Sequence, residues 1–185
     1  MRVVIYTHNH SMHVKTLHMI MNLINTRPDA SLNITFHENE SPSSPPKDDL
    51  TLHIKWGMNM QPSDVFKMID NEWPEGKKAV VVPSPLQHID WNTFKQKALD
   101  EENITEPIEQ WGLHFNVELG DKIDDNYWSL KELKAKPRIW MTRADCIIDD
   151  LQMHEIAVLP DANVTTTMVH ESVANIAHSA GIQMR

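Results

Sequence analysis

The sequence predicts an α/β fold, a single domain over residues 1–185 with a mostly parallel sheet flanked by helices. Three observations carry that expectation. Continuous apolar runs such as Arg2 to Thr7 and Lys78 to Pro83 have the composition of strands buried on both faces. Segments of helical period follow them, first at Val14 to Asn25. A chain of 185 residues is long enough for one well-packed domain and short for two.

Arg2-Val3-Val4-Ile5-Tyr6-Thr7 reads as the first strand. In the helix after it, Val14, Leu17, Met21 and Ile24 recur at three- and four-residue spacing and Ile20 widens the stripe, which predicts the buried face, while His18, Asn22 and Asn25 face away. Arg27-Pro28-Asp29 ends the helix, and Ser31 to His37 alternates as a strand does, completing a β-α-β unit. Residues 38–49 hold a Pro/Ser loop expected to be exposed and mobile. A third strand is expected at Leu50 to Trp56, a helix start at Pro62-Ser63-Asp64, a fourth strand at Lys78 to Pro83, and a helix from Asp90-Trp91. Leu113 to Leu119 alternates, with a turn at Gly120-Asp121, and Ser129 to Lys134 suggests one or two helical turns. Pro137 to Thr142 and Glu155 to Pro160 read as further strands. The last helix is expected from about Thr165 to Ala180, with Val169, Val173, Ile176, Ala177 and Ala180 as its apolar face and Gly181 as its stop. The β-α alternation makes the expected sheet Rossmann-like.

The formal net charge is −9 with histidine neutral, which argues against nucleic acid and anionic membrane as partners, since both require a basic face. Pro is frequent with 11 and Gly scarce with 5, so turns rely on Pro, Asn, Asp and Ser. The single cysteine, Cys146, allows no internal disulfide and sits in an apolar setting, where it reads as a small buried hydrophobe. No secretory signal pattern or ~20-residue apolar span is recognisable, so a cytoplasmic setting is the expectation.

The densest chemistry is Thr7-His8-Asn9-His10-Ser11-Met12-His13, three histidines within six residues directly after the first strand. In open α/β sheets ligands bind beyond the carboxyl ends of strands. His8, Asn9, His10, Ser11 and His13 therefore mark a candidate site, to which Ser84, His88 and Asp90 after the fourth strand, and Asp161 and Asn163 after the last, contribute if the sheet is parallel. Arg143 and Asp145 would join them after a later strand. In extended backbone His8 and His10 point to the same side, so both imidazoles could reach one divalent ion, with His13 as a third ligand and Asp90, Asp145 or Asp161 completing the set. Met12 stands where the His-x-His-x-Asp-His pattern of metallo-β-lactamase-like enzymes has its aspartate.

Residues Arg2 to Glu40 follow the order short apolar strand, His-bearing loop, helix, second strand, with Arg2 to His8 and Leu32 to Phe36 as the strands. This layout resembles the opening of glycosyltransferases built from two Rossmann-like domains. The resemblance implies a nucleotide-sugar ligand, with His13, or His10, as the base that deprotonates an acceptor hydroxyl. It also implies a partner chain to supply the second domain. No Gly-x-Gly-x-x-Gly and no phosphate-binding P-loop occurs, and Asp161 to Thr167 offers at most a helix start with free amides. Three functions thus stand open on the sequence: a protein that binds a small polar ligand or nucleotide sugar; a non-catalytic interaction or assembly protein with a protein partner or in a homo-oligomer; and a metal-dependent hydrolase built on His8 and His10.

Overall fold

A computed structural model describes residues 1–7, 11–28, 32–38, 49–99, 111–162 and 164–166, with the backbone alone at 87, 88, 165 and 166. The expected β-α-β opening forms. Strand β1 (Arg2–Thr7), helix α1 (Val14–Thr26) and strand β2 (Asn33–Glu38) make a parallel pair joined through the helix. Strand β3 (Leu50–Ile54) then pairs parallel with β1 on its other side. After the short β4 (Met58–Met60), helix α2 (Pro62–Asp70) starts on Pro62, whose missing N–H costs nothing in a first turn. β5 (Ala79–Val81), β6 (Pro85–Ile89) and α3 (Trp91–Leu99) follow. The remainder is β7 (Leu113–Phe115), β8 (Val117–Lys122), β9 (Trp128–Leu133), β10 (Ile139–Arg143), β11 (Ile156–Val158) and β12 (Val164–Thr166).

The expected Rossmann-like α/β sheet, mostly parallel and flanked by helices, does not form. Eight strands make one mixed sheet in the order β2-β1-β3-β10-β5-β11-β9-β8. Its β3/β10, β10/β5, β11/β9 and β9/β8 pairs are antiparallel; only β2/β1, β1/β3 and β5/β11 are parallel. The structure is mostly β, with three α-helices among the described residues. The physical reason is that a continuous apolar run reports burial on both faces and carries no information about strand direction. Ile139 to Met141 is such a run, and it lies antiparallel to both neighbours.

The second half departs further. Of Ser129 to Lys134, expected as helical turns, all but Lys134 belong to β9, because pairing with β8 and β11 overrides the helix propensity of Leu, Lys and Glu. The turn expected at Gly120-Asp121 lies later. Asp124 Oδ1 accepts from the backbone N–H of Asn126 and Tyr127, at 2.7 and 2.8 Å, and reverses the chain between β8 and β9. A Cβ at Gly120, inside β8, would lie 2.3 Å from Ser129 Oγ on the facing strand, so a larger residue there would require that hydroxyl to move. The helix expected from Thr165 begins instead as strand β12, paired antiparallel with β4; residues 167–185 lie outside the described residues, as do residues 39–48 of the Pro/Ser loop.

The sheet has two unlike faces. On one, Val3, Ile5, Leu52, Ile54, Val80, Ile139 and Met141 meet Met19, Ile20 and Leu23 of α1 and Val65, Phe66 and Met68 of α2. On the other, Val4, Tyr6, Val81, Trp140, Ile156 and Val158 pack with Val117, Leu130 and Ile148, and no α-helix among the described residues contributes. α3 buries no residue at all.

Candidate functional site

α1 is where sequence pattern and packing disagree. The side chains it buries are Thr16, Met19, Ile20 and Leu23. Thr16 is polar, yet it belongs inside because its Oγ1 donates to the Met58 carbonyl at 2.8 Å, tying α1 to β4. Of the apolar residues expected to face the core, Ile20 does so, and the other four face outward: Val14 is 54 %, Leu17 40 %, Met21 51 % and Ile24 44 % exposed. At 3.6 residues per turn the stripe lies about 120° around the axis from the buried face. His18, Asn22 and Asn25 lie exposed beside it, as expected. Phe36, on the same sheet face as α1 but on edge strand β2, is also exposed.

The histidine turn is placed in part. His8, Asn9 and His10 lie outside the described residues, and Ser11 is exposed. His13 is the N-cap of α1: its Nδ1 accepts from the Lys15 N–H at 3.1 Å, and its ring meets Trp56 edge-on at 5.0 Å. Beside it, at the carboxyl ends of β1 and β2, Thr7, Met12, Phe36 and Glu38 line an open cleft of about 400 Å³. Among the described residues no group of three His, Cys, Asp or Glu could hold a metal ion.

β1, β5 and β11 run in the same sense, so Thr7, Ser84 and Asp161 do leave the same edge of the sheet. β3 and β10 intervene, which puts the ends of β1 and β5 about 14 Å apart, three strand spacings. Ser84 is buried and its groups are committed to the fold. Its N–H donates to Asn116 Oδ1 at 2.7 Å and its hydroxyl to the Val82 carbonyl at 3.2 Å. Asp90 caps α3, accepting from the backbone N–H of Asn92 and Thr93 and from the Thr93 hydroxyl at 2.7 Å. The Thr93 bonds, with help from His114, pull its carboxyl down to about 2. His88 lies on β6, Asp161 is exposed, and Asn163 is outside the described residues.

Because β10 is antiparallel, Arg143 and Asp145 sit on the opposite edge from β1's end, a correction to the expected convergence. There Arg143 lies over the Trp73 ring at 5.1 Å, in a cleft of about 510 Å³ with Asp49, Asn71 and Glu72. Cys146 is part-buried, and burial pushes its thiol up, away from a reactive thiolate.

One polar cluster was not legible in the pattern. On the second face of the sheet, that of Val4 and Trp140, His53 bridges Tyr6 and Thr142, with Nδ1 3.1 Å from the Tyr6 hydroxyl and Nε2 3.3 Å from Thr142 Oγ1. Its ring stacks on Trp140 with centroids 4.7 Å apart and planes 3° from parallel. Burial, with the charge of Arg2 and then His37, pushes His53 down to about 3, so the imidazole is neutral at ordinary pH. The only available signal was a histidine between Leu52 and Ile54 in a buried strand. This cluster is sealed from solvent and serves the fold.

No helix among the described residues is long and apolar enough to cross a membrane. No protein-family model matches this chain, and no curated protein is detectably similar to it in sequence.

Proposed function

We propose that this protein is a non-catalytic interaction module whose docking surface is the outer face of α1, and that its partner is an amphipathic helix. The observation that carries the reading is the unbroken stripe Val14, Leu17, Met21 and Ile24, exposed on a helix already anchored to the sheet by another face. Exposed apolar residues scattered singly need no explanation, whereas four in register over three turns offer i, i+3, i+7, i+10 anchors for helix-on-helix packing. The stripe is about 15 Å long at 1.5 Å per residue, the length of a three-turn partner. Ser84 and Asp90 hold backbone in place, and His13 Nδ1 caps α1, which supports a role for the α1 surface over one for these groups.

The test uses a fluorescent synthetic helix of alanine and glutamine with leucines at i, i+3, i+7 and i+10. The full chain is expected to raise its anisotropy, and Leu17→Glu with Met21→Glu to weaken binding at least about tenfold, as loss of two central anchors does. Equal binding by both proteins, or none by either, overturns the reading.

A second reading rests on the cleft of Thr7, Met12, Phe36 and Glu38 beside His13, which has the position and size for a small polar ligand such as a nucleotide sugar. A thermal-shift panel of nucleotides and nucleotide sugars, repeated on Glu38→Gln, tests it. No stabilisation by any of them would remove it.

A further inference from the structure

We infer that the helix received by α1 is α1 of a second copy of this chain, brought there by antiparallel pairing of β2 with the second copy's β2. The inference rests on the outer face of α1 being a docking surface and names its partner.

The two edges of the eight-stranded sheet are unlike. β8, at one end, is blunted as edge strands usually are. Its register with β9 shifts between Glu118 and Leu119 and again between Leu119 and Lys122, and Glu118, Asp121 and Lys122 put charge along it. β2, at the other end, has neither device. Its register with β1 is unbroken from Asn33 to Glu38, it holds no proline or lysine, and its only formal charge, with histidine neutral, is Glu38 at the end. Among the described residues nothing pairs with its outer side. A regular edge without internal charge is a template for another strand.

Handedness puts the α1 stripe over that same edge. A crossover between parallel strands is right-handed, so with α1 in front of the sheet and β1 pointing up, β2 lies to the right. α1 runs downward, and following the chain round a right-handed helix leads from the sheet-facing side to that right-hand side. The stripe lies about 120° on from the buried face in this sense, so it overhangs β2. Phe36, 57 % exposed on the same face, continues the apolar surface down to the strand. The one formal charge of α1, Lys15, lies on the helix's other side, so a contact here buries none.

A partner for this surface must present a strand edge together with an apolar helix face at a fixed offset from it. This chain presents both, and a two-fold axis through the paired strands matches the offsets by symmetry. With Thr35 opposite the second copy's Thr35, each Phe36 falls opposite an Ile34, an apolar pair made twice, while the threonines meet on the other side of the sheet. α1 covers Val3 and Ile5 of β1, and Ile34 of β2 packs against the same cluster, so the helix lies over the β1/β2 pair. The two helices then run antiparallel two strand spacings apart, about 10 Å, the distance at which helices pack. The stripe and Phe36 expose about 400 Å² per copy. Two copies therefore bury about 800 Å² of side chain, and the paired backbones bring the contact to the ~1,000 Å² that a stable interface needs.

Sedimentation of the full chain between about 1 and about 100 µM is expected to show a reversible dimer of twice 21.4 kDa. Phe36→Lys puts a charge on an exposed position of the edge. It should raise the dissociation constant at least about tenfold and leave the far-ultraviolet circular dichroism unchanged. Leu17→Glu with Met21→Glu should do the same from the helix side, so the result does not hang on one variant's folding. In a Cys146→Ser background, Thr35→Cys should oxidise to a disulfide-linked dimer. Asn33→Cys, about 14 Å from its own counterpart in this register, should not. A chain that stays monomeric, a dimer that Phe36→Lys leaves intact, or a link from Asn33→Cys in place of Thr35→Cys overturns the inference. If the synthetic helix still depends on Leu17 and Met21 in that event, the docking surface stands and only its partner is wrong. If it does not, both fall.

Discussion

The two faces of the central sheet solve the same burial problem with different side chains. Where α1 and α2 cover the sheet, the space is filled by aliphatic and thioether groups, Met19, Met58, Met60, Met68 and Met141 among them. Long unbranched side chains fill irregular gaps between a helix and a twisted sheet. On the face to which no described helix contributes, flat rings fill much of the space. Tyr6, His53 and Trp140 stack side by side across β1, β3 and β10, and each ring shields its neighbour. Such a layer must also bury hydroxyls and a ring nitrogen, so its polar atoms are tied to one another. The helix-covered face should tolerate change in shape; the ring face should not.

Adjacent residues of β10 give the largest test, because Trp140 and Met141 point to opposite faces. Trp140→Ala is expected to cost about 4 kcal/mol, near the upper range for large-to-small core changes, since it also uncovers the His53 ring. Met141→Ala is expected to cost about 2 to 3 kcal/mol, because the methionines around it can close part of the cavity. Urea titration of both variants measures the difference. An equal or reversed order would show that the contrast between the faces is chemical only and not mechanical.

The ring face should also be the pH-sensitive one. His53 titrates at about 3 in the folded protein against an ordinary 6.5. Between those values the unfolded chain binds the proton and the folded one does not, so stability falls as pH falls through 6.5 toward 3. Linkage puts the loss at about 2 kcal/mol between about pH 7.5 and about pH 5. His53→Gln keeps a donor and an acceptor in place without titrating, and its stability should be flatter with pH by about that amount. If the two pH profiles run parallel, the imidazole is not held neutral and the polar bridge is misdescribed.

The same contrast explains what could be read from the sequence. Residues 2–7, 50–54 and 79–81 announce themselves as strands because their side chains are buried on both faces, and the β-α-β opening follows from local pattern. Direction and partner do not, since β10 looks like a parallel strand and is not. Which stripe of α1 is inside was also illegible. The more regular apolar stripe is the outer one, and the inner one includes Thr16, whose reason for burial is a carbonyl 42 residues away. Among the candidate site residues, Asp90 was readable as a helix start because its partners are two and three residues on, whereas Ser84's commitment to Asn116 spans 32 residues.

α3 tests whether a helix shapes a face merely by being present. It buries no side chain, and it rests on edge-on contacts of Phe94 with Trp91 and Trp111 and on the Asp90 cap. If helices matter to the sheet only through what they bury, Asp90→Ala should release α3 and leave both faces untouched. The expected result is faster amide exchange over residues 91–99, several-fold, with the urea midpoint of the whole protein unchanged. The same release should follow from acid alone. The Asp90 carboxyl is held down to about 2 by its bonds to Thr93, so the cap is intact above the ordinary value of 3.8 and is lost as pH falls through about 2. Exchange in α3 should therefore gain an acid-dependent step in the native protein that Asp90→Ala lacks. A drop in the global midpoint instead would mean that α3 supports the sheet through contacts it does not bury.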